Sequence, residues 1–388
     1  PTTAPGDTLN LALATAQNYV INGSPASGNV TSDNRQMLNW TGFETGPIVD
    51  DAAPVVVGRY FDGDGAADQL TFQFSEDLGA ISAGSLGFID ELTGEAVSVS
   101  LSYSAATFTA AFTFPALPDG QLPSGVYLAT FAAGAFTDLA GNALAAAHDF
   151  SFIAVAAGGT LALPDEQTLA IDQLGLGAGG QLDLRNGSLA IREGDVGAWD
   201  GSAYTGITGQ IQSGRNGGTW DGSGIITSMS AAREPNALTT LAVAEASFVL
   251  GISGSETAMW NGQTVDATTV LIKYTYGGDA NLDGKINIDD YGQIDFNVAA
   301  SGSVFGWFNG DFNMDGKINI DDYGIIDFNV AAQTGTIEGA ASVVDTDSGS
   351  TPPEEESVDA RMSAFASAPV VAPMADGATD DELLAELG

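Results

Sequence analysis

Apolar positions recur with a period of two over most of this chain. In residues 8–15, Leu9, Leu11 and Leu13 alternate with polar or small residues, the signature of a half-buried strand. Between 53 and 155 six more segments read as strands at regular spacing: APVVVGRYF, DQLTFQFSE, AVSVSLSYS, TFTAAFTF, GVYLATFA and HDFSFIAV, each bounded by Gly, Pro, Asp or Asn. Strands spaced this regularly predict an antiparallel β-sandwich. Residues 156–276 are Gly-rich and again β-like, with TLAIDQL, GQLDLRNGSLAI, GITGQI and TVLIKYTY as strand candidates. One helix is expected within 237–252, where Pro235 precedes a run of good helix formers and Gly251 ends it.

The period changes after residue 276. DANLDGKINIDDYGQIDFNVAA at 279–300 returns as DFNMDGKINIDDYGIIDFNVAA at 311–332, an offset of 32 residues, differing only at Ala280/Phe312, Leu282/Met314 and Gln293/Ile325. After each loop, Tyr291, Ile294 and Val298, and likewise Tyr323, Ile326 and Val330, stand at helical spacing and would give two short helices a shared apolar seam. The acidic, Pro-, Ser- and Ala-rich stretch from 336 to 388 reads as a flexible tail. Five segments follow: an N-terminal strand and extended segment (1–52), a sandwich (53–155), a Gly-rich β region with one helix (156–276), a repeat module (277–335) and the tail (336–388). The fold class is mainly β with a small helical module.

Charge narrows the chemistry. Ten Lys and Arg stand against 50 Asp and Glu, a formal charge of −40 that repels phosphate backbones and anionic lipid heads. So acidic a surface favours divalent cations as neutralisers. No cysteine is present, which removes disulfides, thiolate chemistry and zinc–thiolate sites. No run approaches the roughly 18 apolar residues needed to span a bilayer. With Pro1 opening the chain, an exported, processed product is expected.

Each repeat carries the oxygen spacing of a calcium loop. A twelve-residue loop supplies ligands from positions one, three, five, seven, nine and twelve. In the first copy these are Asp279, Asn281, Asp283, the carbonyl of Lys285, Asn287 and Asp290; in the second, Asp311, Asn313, Asp315, the carbonyl of Lys317, Asn319 and Asp322. Gly284 and Gly316 hold position six, where the loop turns sharply. Ca2+ is therefore the expected cofactor.

The pair resembles a type I dockerin module, in which two loop–helix repeats each hold one calcium and pack with pseudo-two-fold symmetry. Position twelve is Asp, as that pattern has it. The resemblance implies docking to a cohesin domain through positions ten and eleven, here Ile288 and Asp289 with Ile320 and Asp321, where cellulosomal modules carry small hydroxyl residues. Residues 53–155 resemble bacterial immunoglobulin-like domains of surface-layer and adhesion proteins, on TFQFSEDL at 71–78 and DLAGNAL at 138–144.

Weaker signals remain. Asp62, Asp64 and Asp68 in FDGDGAADQL offer a further calcium turn, with a solvated turn as the alternative. GLGAGG at 175–180 matches a dinucleotide fingerprint but precedes an alternating stretch instead of a helix, which predicts a β-turn. His148, the single histidine, is read as a surface residue. Trp220, Trp260 and Trp307 are read as core anchors or as a sugar platform. Asn22, Asn29, Asn39 and Asn186 begin glycosylation-type triplets. The function expected is non-catalytic: an extracellular, calcium-binding structural protein assembling with copies of itself, as a fibre subunit, through its terminal segments and repeat module. The alternatives are a cohesin-docked accessory component of a polysaccharide-degrading complex, and an enzyme with its site in 156–276.

Overall fold

The computed structural model describes residues 50–63, 65–235 and 237–337, preceded by the short strands Thr8–Ala12, Val20–Ser24, Ser27–Ser32, Arg35–Thr41 and Thr45–Asp50. The fold is mainly β, with several antiparallel sheets. All six segments read as strands between 53 and 155 contain them: Val56–Asp62, Gln69–Phe74, Ser100–Ser104, Thr109–Thr113, Gly125–Phe131 and His148–Val155. Leu86–Asp90 adds to them. One four-stranded sheet runs Ser100–Ser104, Thr109–Thr113, Gln69–Phe74, Val56–Asp62; another runs Gln173–Leu176, His148–Val155, Gly125–Phe131, Leu86–Asp90. Their inward residues form one aromatic cluster, with Phe72, Phe74, Phe112, Phe131, Phe150 and Phe152 fully buried. The Phe72 ring meets that of Phe131 edge-on at 4.9 Å, a favoured geometry for aromatic pairs.

The outermost strand of the second sheet, Gln173–Leu176, comes from beyond residue 155 and lies parallel to His148–Val155. A second and larger apolar cluster begins there. It runs through the sheet Thr168–Ile171, Ser188–Ile191, Val270–Tyr276, Thr239–Glu245 and on, without a break, to Ile286, Ile294, Trp307, Phe312, Ile318 and Ile326 of the repeats.

Two local expectations are corrected. The helix expected within 237–252 is confined to α2 (Ala246–Leu250), which Gly251 ends in the left-handed conformation. Thr239–Glu245 is a strand, buried along almost all its length and paired with Val270–Tyr276. An apolar run buried on both faces has no alternation to read, so helix formers such as Ala and Leu mislead there. GITGQI, expected as a strand, opens α1 (Gly206–Arg215), whose buried residues Ile207, Thr208, Ile211 and Gly214 share one helical face.

Candidate metal centre

Two helices follow the two loops: α3 (Ile288–Asn297) and α4 (Ile320–Ala332). Asn287 and Asn319 cap them, and Asp290 and Asp322 complete a capping box in each, so positions nine and twelve already have a structural duty. The helices pair reciprocally. Tyr291 donates to Asp327 at 2.6 Å and Tyr323 to Asp295 at 2.5 Å. Gly278, just before the first loop, lies against Ile326 of the second helix, while Gly310 lies against Ile294 of the first.

Both loops close on the same bonds. Asp279 Oδ1 accepts from the Asp283 amide at 3.1 Å and its Oδ2 from Gly284 at 2.8 Å; for Asp311 the donors are Asp315 at 3.0 Å and Gly316 at 2.9 Å. Asn281 and Asn313 each accept from the amide two residues on, as do Asp283 and Asp315. Asp290 Oδ1 accepts from Ala280, and Asp322 Oδ1 from Phe312, both at 2.8 Å. The twelve expected ligands thus divide by depth: Asp279, Asp290, Asp311 and Asp322 are wholly buried, Asn281, Asn287, Asn313 and Asn319 half-buried, and Asp283, Lys285, Asp315 and Lys317 exposed at the rim.

Burial dominates the protonation of the inner acids. It pushes Asp279 up to about 6, against hydrogen bonds from Thr275 and Gly284 that pull the other way. Asp290 rises to about 7 through burial and then the Asp279 charge. Asp322 rises to about 6 and Asp311 also rises, again chiefly through burial.

Side chains from the Gly-rich β region also reach both loops, and nothing in the repeat could have announced them. Thr275 donates to Asp279 Oδ2, and Tyr204 to Asp311 Oδ2. Lys273 Nζ donates to the Leu282 carbonyl at 3.0 Å, and Gln212 Nε2 to that of Met314 at 2.7 Å. Arg215 donates to the Asn313 carbonyl at 3.2 Å; from within the repeat module itself, Trp307 Nε1 donates to the Asp279 carbonyl at 2.7 Å.

Other sequence candidates fall elsewhere. Asp68 is buried, with Oδ2 accepting from the Leu122 amide at 2.7 Å; Asp64 lies outside the described residues, as does the tail beyond 337. Residues 177–180 form the turn between strands Gln173–Leu176 and Gln181–Asp183. Trp220, Trp260 and Trp307 are buried core anchors and offer no platform to solvent. His148 is half-buried beside Arg59, and burial lowers its basicity. Among the described residues, Asp50, Glu76 and Asp138 bring three carboxylates within 4.8 Å of one another, a spacing the acids of neither loop reach. Glu76 and Asp138 lie in the two motifs that suggested the immunoglobulin-like resemblance, but the sequence offered no reason to join them to Asp50. Asp138 Oδ1 accepts from Gly141 at 2.6 Å and Asn142 at 2.8 Å, so this acid also folds its own turn.

No protein-family model and no curated protein sequence matches the chain. Among solved structures, the native conformation of E. coli alpha-2-macroglobulin is similar over 26% of this chain and 6% of that one, at 13% identity and a TM-score of 0.21. The N-terminal part of the bacterial S-layer protein SbsC is similar over 58% of this chain and 41% of that one, at 10% identity and a TM-score of 0.22. At these scores neither defines the fold.

Proposed function

We propose that this chain is a non-catalytic, calcium-binding structural protein of the cell surface or extracellular matrix, with residues 277–335 forming a dockerin-like pair of ion loops. The observation that carries the reading is the repetition: ligand-type oxygens recur at equivalent loop positions, on matching main-chain bonds, around first and last carboxylates withdrawn from water. Removing a carboxylate from water is costly unless a cation or hydrogen bonds replace the lost solvation. A hard divalent ion is the partner that suits oxygen donors from carboxylates, amides and one carbonyl per loop. The donors named for each loop would hold it, and the ion would supply a staple between loop and helix.

The reciprocal Tyr–Asp pairs and the Gly278 and Gly310 contacts support a pseudo-two-fold pair of the dockerin kind. Two sheets around a phenylalanine core support an immunoglobulin-like sandwich before it. A surface location rests on composition, and among the described residues no helix is long and apolar enough to cross a membrane. Self-assembly through the terminal segments belongs to the same proposal.

Calorimetric titration of chelator-stripped protein tests it. Two calcium ions should bind per chain, and none in the Asp279→Ala plus Asp311→Ala variant; stripped wild type that gives no binding heat sinks the reading. The second reading, docking to a cohesin domain, is favoured by Ile288, Phe296, Ile320 and Phe328, which stay exposed at equivalent positions of the two helices. A calcium-dependent pull-down with cohesin domains decides it.

A further inference from the structure

We infer that the Gly-rich β region completes both calcium sites from outside: Thr275 and Tyr204 are positioning residues for the first carboxylate of each loop, so ion uptake and the ordering of this β region are one process. The inference rests on the calcium reading above and adds residues that lie outside the repeat.

The two loops share a symmetry of contacts that the sequence repeat does not supply. Asp279 and Asp311 are equivalent, and in each the same oxygen, Oδ2, accepts both the position-six amide and a side-chain hydroxyl. The two hydroxyls are unrelated. One belongs to Thr275, on the strand Val270–Tyr276, and the other to Tyr204, just ahead of α1. Position four repeats the theme: Leu282 and Met314 both take a left-handed backbone, at φ of 62° and 60°, and their carbonyls accept from Lys273 and Gln212. Four side chains from one region thus meet equivalent atoms of two loops. A merely tolerant packing surface has no reason to find the same carboxylate oxygen and the same carbonyl twice.

The Tyr204 hydroxyl has its direction set. Its oxygen accepts the Gly306 amide at 2.8 Å, which leaves its proton for Asp311. Thr275 is wholly buried in its strand and has little freedom to turn away from Asp279. Donors of this kind hold a ligating carboxylate in one rotamer and favour its ionised form, and losing one typically weakens metal binding about 10–100-fold. Position six adds a steric seal: a Cβ at Gly316 would meet the Trp199 ring at 2.3 Å, so the second loop is seated directly on this region.

The test isolates one loop at a time. Thr275→Val is made in a chain whose second loop is disabled by Asp311→Ala, and Tyr204→Phe in one whose first loop is disabled by Asp279→Ala. Calorimetry with calcium should show at least tenfold weaker binding at the loop each hydroxyl serves. Thr275→Ser should restore affinity, and each variant placed opposite the loop it does not touch should bind as its parent does. Unchanged affinity in folded variants overturns the inference, as does equal weakening at both loops, which marks a general loss of stability. Absence of calcium uptake by wild type would instead sink the calcium reading itself. Should the variants not fold, hydrogen exchange on the wild type decides. Calcium must slow exchange across Thr239–Glu245 and Val270–Tyr276, and protection confined to 277–335 overturns the inference.

Discussion

At the scale of single residues, the buried aspartates set a pH dependence of unusual sign. Unfolded, each titrates near its ordinary value of 3.8; folded without a metal, Asp279 and Asp322 sit at about 6 and Asp290 at about 7. The folded state therefore holds these protons more tightly. Their stabilising effect is complete below the unfolded value and is lost as pH climbs through 6 and 7. His148, which burial makes less basic, acts the other way, but it is one group against several. In chelator, the urea midpoint should be higher at about pH 5 than at about pH 7.5. In saturating calcium the ion replaces the protons and the order should reverse. Asp290→Asn should flatten the chelator trend, and a variant that keeps the full trend would remove these carboxylates as its cause. The repeated loops were legible because the same oxygen-bearing residues return at an offset of 32, and the structure closes both on matching bonds. The outer donors Thr275 and Tyr204 were not, since a lone hydroxyl in a strand or loop carries no periodic mark.

At the scale of elements, alternation is clearest in Gln69–Phe74 and Thr109–Thr113, where buried residues alternate with a wetter face. It failed for Thr239–Glu245, which has none, and for α1, whose glycines and polar residues disguise a helical stripe. The repeats contain a contrast between glycines that are needed and glycines that are not. Gly284 and Gly316 have φ of 91° and 78°, and an added Cβ would lie 2.2 Å from the Ile337 carbonyl oxygen and 2.3 Å from the Trp199 ring. Gly292 and Gly324, inside α3 and α4, have open space where a Cβ would go. Alanine at either helical position should therefore stabilise by about 0.5–1 kcal/mol, through helix propensity and a less disordered unfolded chain. Alanine at either loop position should destabilise by at least about 1–3 kcal/mol. Urea unfolding of the four variants in calcium checks both signs; a stable Gly316→Ala protein would mean the Trp199 contact yields easily.

At the scale of the whole molecule, two apolar clusters divide the described residues. The phenylalanine core belongs to the two four-stranded sheets built mainly from residues 56–155; the other unites the Gly-rich sheet with both repeats. No tryptophan falls between 53 and 155, whereas Trp199, Trp220, Trp260 and Trp307 all sit in or against the larger cluster. Tryptophan emission should therefore report a calcium-sensitive unfolding step, while the unfolding of the phenylalanine core, followed by calorimetry, should stay within a few degrees on chelation. A shared shift of both steps would show that Val126, Ile153 and Val155, sandwich residues that belong to the larger cluster, join the two bodies into one cooperative unit. The parallel strand Gln173–Leu176 has a mechanical consequence. Because it lies alongside His148–Val155 in the same direction, tension along the backbone loads their bonds together in shear. The junction between the two bodies would resist stretching as a rivet does, where a hairpin would open like a zip.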